Sequence, residues 1–106
     1  IKYLKNISSA ILNRSLNLKH LEKMTDPKVE ETLIKIKGLG PWSAHMFMIF
    51  SLGRPDIFSV GDVGLRTAIS RLYKVHRENK PAILKISAPW SPFRSTACRY
   101  LWSSLV

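Results

Sequence analysis

The residues whose types and spacing are best suited to chemistry lie between Leu33 and Ala44, LIKIKGLGPWSA, where two glycines interrupt otherwise helical sequence. Val29, Leu33, Ile34 and Ile36 precede the interruption at roughly helical spacing, and Ala44, Phe47, Met48 and Ile49 follow it in the same way. Gly38-Leu39-Gly40-Pro41 is therefore predicted to be a tight turn. Gly38 or Gly40 is expected at positive φ, Pro41 in the first turn of the next helix, and a valine at Gly40 should clash with the reversal. The peptide N–H groups at the start of that helix lack intrahelical acceptors and carry the positive end of its dipole, so they attract an anion. Lys35 and Lys37 flank the turn and reinforce the preference, which predicts a main-chain grip on a phosphate. The same Gly-x-Gly also fits a plain helix C-cap and chain reversal.

Charge bears on that choice. The chain has 17 Lys and Arg against 7 Asp and Glu, a formal net charge of +10. The basic residues run from Lys2 to Arg99, interleaved with apolar positions, as on a folded surface that faces a polyanion. There is neither an apolar run long enough to span a bilayer nor one strongly basic amphipathic helix, so a membrane is not the expected partner. Cys98 is the only cysteine. That excludes an intrachain disulfide, a four-cysteine zinc site and a cysteine-held iron–sulfur cluster. His20, His45 and His76 do not have metal-ligand spacing, and no P-loop, GxGxxG or Ser-His-Asp arrangement is present. His45 is expected on the surface.

The elements that must position the turn follow from periodicity. With 45% hydrophobic residues, 106 residues suit one domain around one core. Tyr3, Leu4, Ile7, Ala10, Ile11 and Leu16 share a helical face up to about Asn13, and Leu18 and Leu21 predict a short helix near 17–23. Thr25 or Asp26 caps the next helix, Pro27 sits in its first turn, and it runs to Lys37. The second hairpin helix runs from Pro41 to about Leu52 and ends at Gly53. Residues 54–61 form an irregular connection, extended around Pro55, in which Asp56 bonds local backbone N–H groups. From Asp62 to about Tyr73 the pattern is helical, with Leu65, Ala68, Ile69 and Leu72 inward. Asp62 stands where a cap belongs, a role worth about 1 kcal/mol, and a helix start favours a charged carboxylate. A short helix over Pro81–Ser87, a break at Pro89-Trp90-Ser91-Pro92, and a last helix from Ser91 or Pro92 through Ala97, Tyr100, Leu101 and Leu105 complete an all-α chain of five to seven helices. The opening residues, without a methionine, resemble neither a signal nor a transit peptide and read as mid-helix; a longer protein and an intracellular location are expected.

LIKIKGLGPWSA, then GRPDIFSVGDVGLRTAI, then PWSPFRSTACRYLW resemble, in that order and spacing, the helix–hairpin–helix superfamily of DNA base-excision glycosylases. Within it they look like the 3-methyladenine DNA glycosylase II branch. The likeness covers roughly residues 1–105 but only the C-terminal portion of the family's domain. It implies an all-α helix–hairpin–helix glycosylase-like domain over 1–106, incomplete at its N-terminal side, with the hairpin motif at about 28–52. Double-stranded DNA containing damaged bases would be the partner of a monomeric enzyme. Lys35, Lys37, Gly38, Leu39, Gly40 and Ser43 would bind DNA phosphate. The main-chain carbonyls of Ile34, Ile36 and Leu39 would hold a Na+ or K+ ion, with no other cofactor required. Lys37 stands where the family commonly has proline.

The resemblance also implies that Asp62 is catalytic. Cleaving an N-glycosidic bond builds positive charge on the sugar, which a fixed carboxylate stabilises while it orients or deprotonates the attacking water. Relatives that also nick the strand carry a Schiff-base lysine where this chain has Trp42, which implies a monofunctional hydrolase acting on alkylated purines such as 3-methyladenine and 7-methylguanine. Trp42, Trp90 and Phe93 would wall the base pocket, where an aromatic ring stacks on a cationic base; a core tryptophan is the alternative for Trp42. Arg94 and Trp102 would be structural or close to DNA. Two other readings remain at this point: a non-catalytic helix–hairpin–helix DNA-binding module, and a truncated, inactive relic.

Overall fold

The computed structural model describes residues 18–36 and 39–105, and among these it is helical with no strand. The helix expected up to Asn13, and Lys37 and Gly38 of the turn, lie outside the described residues. The chain divides into two compact units at Gly53.

The first unit contains α1 (Leu18–Lys23), α2 (Asp26–Ile34) and α3 (Pro41–Phe50). Pro27 takes the first turn of α2, where a missing N–H costs no helical hydrogen bond. Thr25 occupies the N-cap position, but its side chain makes no capping bond, against expectation. Val29 and Leu33, one turn apart, are buried as α2 packs on α3, whose Ala44, Met46, Met48 and Ile49 are buried in turn. A His45–Glu30 side-chain pair joins the two helices, so His45 is held in the hairpin and not simply displayed on its surface.

α2 stops at Ile34, short of the expected Lys37. The Ile36 N–H bonds the Leu33 carbonyl and the Leu39 N–H bonds the Ile36 carbonyl, both at 3.0 Å, three-residue closures that tighten the chain out of the α path. Gly40 has φ −104° and ψ −176°, extended backbone open to any residue, and a Cβ built on it meets nothing within 4 Å. The positive φ considered for Gly40 is thus absent, and a Cβ at this position meets no obstacle. α3 ends at Phe50, before the expected Leu52, because the Ser51 and Leu52 N–H groups both turn back to the Phe47 carbonyl. Gly53 then leaves the helix at φ 65°, the left-handed region that glycine enters without a Cβ penalty.

The second unit holds α4 (Val63–Tyr73), α5 (Lys80–Ser87), a 3-10 turn over Ala88–Trp90 and α6 (Arg94–Ser103). Its core is Leu65, Ala68 and Ile69 of α4 with Ile83, Cys98 and Leu101, rimmed by Phe58, Val60, Val75, Ile86, Trp90, Trp102 and Leu105. Leu72, expected inward, is 62% exposed, although it shares the helical spacing of the buried Leu65 and Ile69. Asn79 Oδ1 accepts the Ala82 N–H at 3.2 Å and starts α5 one residue earlier than expected. α6 begins at Arg94, later than Ser91 or Pro92, because those two belong to a turn closed by Phe93 N–H on the Trp90 carbonyl at 2.8 Å.

Candidate functional site

Residues 54–62 have no regular structure of their own, and α6 holds them. Asp56 accepts the Arg94 Nε at 2.7 Å on Oδ1 and the Arg94 Nη2 at 3.0 Å on Oδ2, a two-pronged pair completed by the Ser91 hydroxyl at 2.6 Å and the Arg94 main-chain N–H at 3.3 Å. The Arg94 guanidinium, helped by Ser91 and opposed by burial, lowers the Asp56 pKa to about 2. Asp56 fixes the loop as expected, yet through side chains far along the chain; its only backbone donor among these is Arg94. Next to this pair, Ser95 Oγ donates to the Arg54 carbonyl at 2.6 Å and accepts the Ile57 N–H at 2.8 Å, while the Ser95 N–H bonds the Pro55 carbonyl at 3.0 Å. One turn on, the Cys98 thiol donates to the Ile57 carbonyl at 3.5 Å. Burial is the main reason the Cys98 pKa is pushed up to about 12.

The loop delivers Asp62 to the start of α4. The Asp62 N–H bonds the Ser59 carbonyl at 3.0 Å, a turn that brings the side chain to the N-cap position, where Oδ2 accepts the Leu65 N–H at 2.8 Å. The expected cap is therefore present. The same Oδ2 also accepts the Trp102 indole N–H at 2.9 Å, across 40 residues of sequence. Asp62 is 9% exposed. One turn further along α4, Arg66 is equally buried; its Nη1 donates to Glu78 at 3.1 Å, whereas its Nε has no partner. A carboxylate held this way, at a helix start and largely shielded from water, can stabilise positive charge at an adjacent atom.

In the first unit, α3 starts at a glycine: the N-cap residue Gly40 has no side chain with which to cap it, and Pro41 has no N–H. Lys35 is exposed, its Nζ 4.0 Å from Glu31, a solvated pair of small energetic weight. Leu39 and Ser43 are buried, so any part they take in binding a phosphate falls to their main chain. Among the carbonyls of Ile34, Ile36 and Leu39, that of Ile36 already accepts the Leu39 N–H. Neutral carbonyl oxygens of this kind suit a hard monovalent cation. Among the described residues no cluster of His, Cys, Asp and Glu could hold a metal.

Of the aromatic positions, Trp42 is 41% exposed on the first turn of α3, so the core alternative is not realised within its unit. Phe93 is 66% exposed beside the start of α6. Trp90 is half-buried, its ring edge-on to Phe58 and tilted to Tyr73, both at 6.3 Å, which makes it part of the core rim. Sequence reasoning missed the contact of Trp102 with Asp62, the pairing of Arg94 with Asp56, and the burial of Arg66. Arg94, Cys98 and Trp102 recur at four-residue spacing, a legible helical face; what that face meets was not legible.

No family model matches the chain. Over 105 residues it is 37% identical to a DNA-3-methyladenine glycosylase of Bacillus subtilis, covering 98% of this chain and 35% of that protein. It shares its fold with the crystal structure of DNA-3-methyladenine glycosidase from Bacillus halodurans at a TM-score of 0.83 and 37% identity, over 97% of this chain and 48% of that one. The 3-methyladenine DNA glycosylase Mag1 of Schizosaccharomyces pombe, in complex with abasic DNA, gives 0.77 and 32%, over 94% and 50%. The chain spans little more than a third of the length of the Bacillus subtilis relatives it matches and less than half of the Schizosaccharomyces pombe ones. Its fold and motifs are those of the helix–hairpin–helix DNA glycosylases. Within that superfamily the chain is similar to the 3-methyladenine DNA glycosylases over nearly its whole length.

Proposed function

We propose that the protein carrying this chain is a monofunctional DNA glycosylase that hydrolyses the N-glycosidic bond of alkylated purines, 3-methyladenine and 7-methylguanine among them. The observation that carries the reading is Asp62, a buried carboxylate fixed at the start of α4 inside the GDVGLR motif. It acts on the cation that develops at the sugar as the base departs, and it orients the attacking water. An alkylated purine is already a cationic leaving group, so a second acid is not required.

The start of α3, with glycine at its N-cap and Lys35 nearby, binds the phosphate backbone of duplex DNA; Lys37, Gly38 and the main chain of Leu39, Gly40 and Ser43 complete that grip. A Na+ or K+ ion on the carbonyls of Ile34, Ile36 and Leu39 would add positive charge beside the same phosphate, and no further cofactor is needed. Trp42 in the first unit and Phe93 in the second are exposed aromatics of the kind that stacks on an extruded base; Trp90 belongs to the core rim of the second unit. The enzyme works as a monomer inside the cell.

The test is base release from methylated duplex DNA by the full-length protein. Asp62→Asn keeps an oxygen for the Leu65 N–H and so preserves the cap. It should cut release by about 100-fold or more, while DNA affinity stays equal or rises as a negative charge is removed. That affinity should fall steeply with salt through counterion release. Binding without base release in the unaltered protein would leave a DNA-binding module and overturn the enzymatic reading.

A further inference from the structure

We propose that Trp102 is a positioning residue for the Asp62 carboxylate, an inference that rests on the catalytic reading of Asp62. The Trp102 indole N–H and the Leu65 N–H converge on one oxygen, Oδ2, at 2.9 and 2.8 Å. One donor belongs to the helix that Asp62 starts, the other to α6, so the carboxylate cannot swing about its side-chain bonds without breaking a hydrogen bond in a buried place. Indole is a donor only, and a buried indole N–H needs an acceptor, so the two groups satisfy each other.

The helix behind the indole makes the placement specific. Arg94, Ser95 and Cys98 bond Asp56, the Arg54 and Pro55 carbonyls, and Ile57. Trp102, one turn beyond Cys98 on the same face, bonds Asp62 itself. α6 thus reads off the loop from its first residues to the carboxylate, and the indole is the last contact in that series. Gly64 leaves room for the meeting. A Cβ at this position would lie 3.2 Å from Asp62 Oδ2 and 3.4 Å from Trp102 Cδ1, tighter than ordinary contact on the first.

Trp102→Phe keeps most of the ring and removes only the N–H. In the full-length protein its single-turnover excision rate should fall by about 10- to 100-fold, the loss of one hydrogen bond to a charged group. DNA affinity should be unchanged, a split that a general loss of packing would not give. On an Asp62→Asn background the same change should cost nothing further. Independently of activity, the indole N–H proton resonance that disappears in Trp102→Phe should move in Asp62→Asn. Gly64→Ala, which crowds the same oxygen, should lower the rate with affinity intact, and it carries the test if Trp102→Phe fails to fold. A Trp102→Phe rate equal to the unaltered protein's, with Asp62→Asn inactive, overturns the positioning role and leaves the catalytic one. Wild-type excision by Asp62→Asn overturns both.

Discussion

Replacing Asp56 by asparagine removes the charge that ties the loop to α6 and leaves the shape of the side chain almost intact. Folding lowers the Asp56 pKa from 3.8 to about 2, chiefly through the Arg94 side chain, with burial acting against it. At about 1.4 kcal/mol per pH unit, that difference corresponds to about 2 kcal/mol of folding stability. The Asp56 side chain is 19% exposed, so solvent screening takes only part of it. Because the folded value is the lower one, the stabilisation is complete above the unfolded value near 4 and is lost as pH falls through the folded value near 2. Asp56→Asn should therefore lower the free energy of unfolding by about 2 kcal/mol at pH 7, and by only a few tenths of a kcal/mol near pH 2. Urea unfolding of both proteins across that pH range, followed by circular dichroism, reads the gap directly. A gap of the same size at both ends would show that asparagine disturbs packing and that the ion pair contributes little. Arg94→Lys keeps the positive charge but loses the fork, and should recover less than half of the stabilisation.

Cys98, wholly buried and with its pKa pushed up to about 12, should resist alkylation in the folded protein at pH 8 and react once urea unfolds it; rapid labelling of the native state would contradict its place in the core. Borohydride should trap no covalent adduct between the full-length protein and damaged DNA, because Trp42 stands where a Schiff-base lysine would act; efficient trapping would move the reaction to another lysine. Lys74 caps α4 at φ 56°, where glycine is at ease, so Lys74→Gly should raise stability by roughly 1 kcal/mol, measured by thermal unfolding.

The sequence by itself determined the features that act within one helical turn. Pro27 and Pro41 mark helix starts, Gly53 marks a helix end, Asp62 caps the helix that begins with Val63, and apolar periodicity separates the buried Leu65 and Ile69 from the solvent face. Such signals depend on backbone geometry three or four residues away, so they can be read without knowing the partner. The three motifs likewise carried the family, because they preserve local chemistry in a fixed order. Tertiary structure alone decided that Asp56 meets Arg94 across 38 residues, that Trp102 meets Asp62 across 40, that the Trp90 ring lies against Phe58 and Tyr73, and that Leu72 is left in water. Those outcomes depend on how α6 is rotated and how far along the loop it docks. That rotation is set jointly by the Leu65, Ile69, Ile83 and Leu101 core, and a helical stripe specifies which of its residues turn inward but not which distant side chain they will meet.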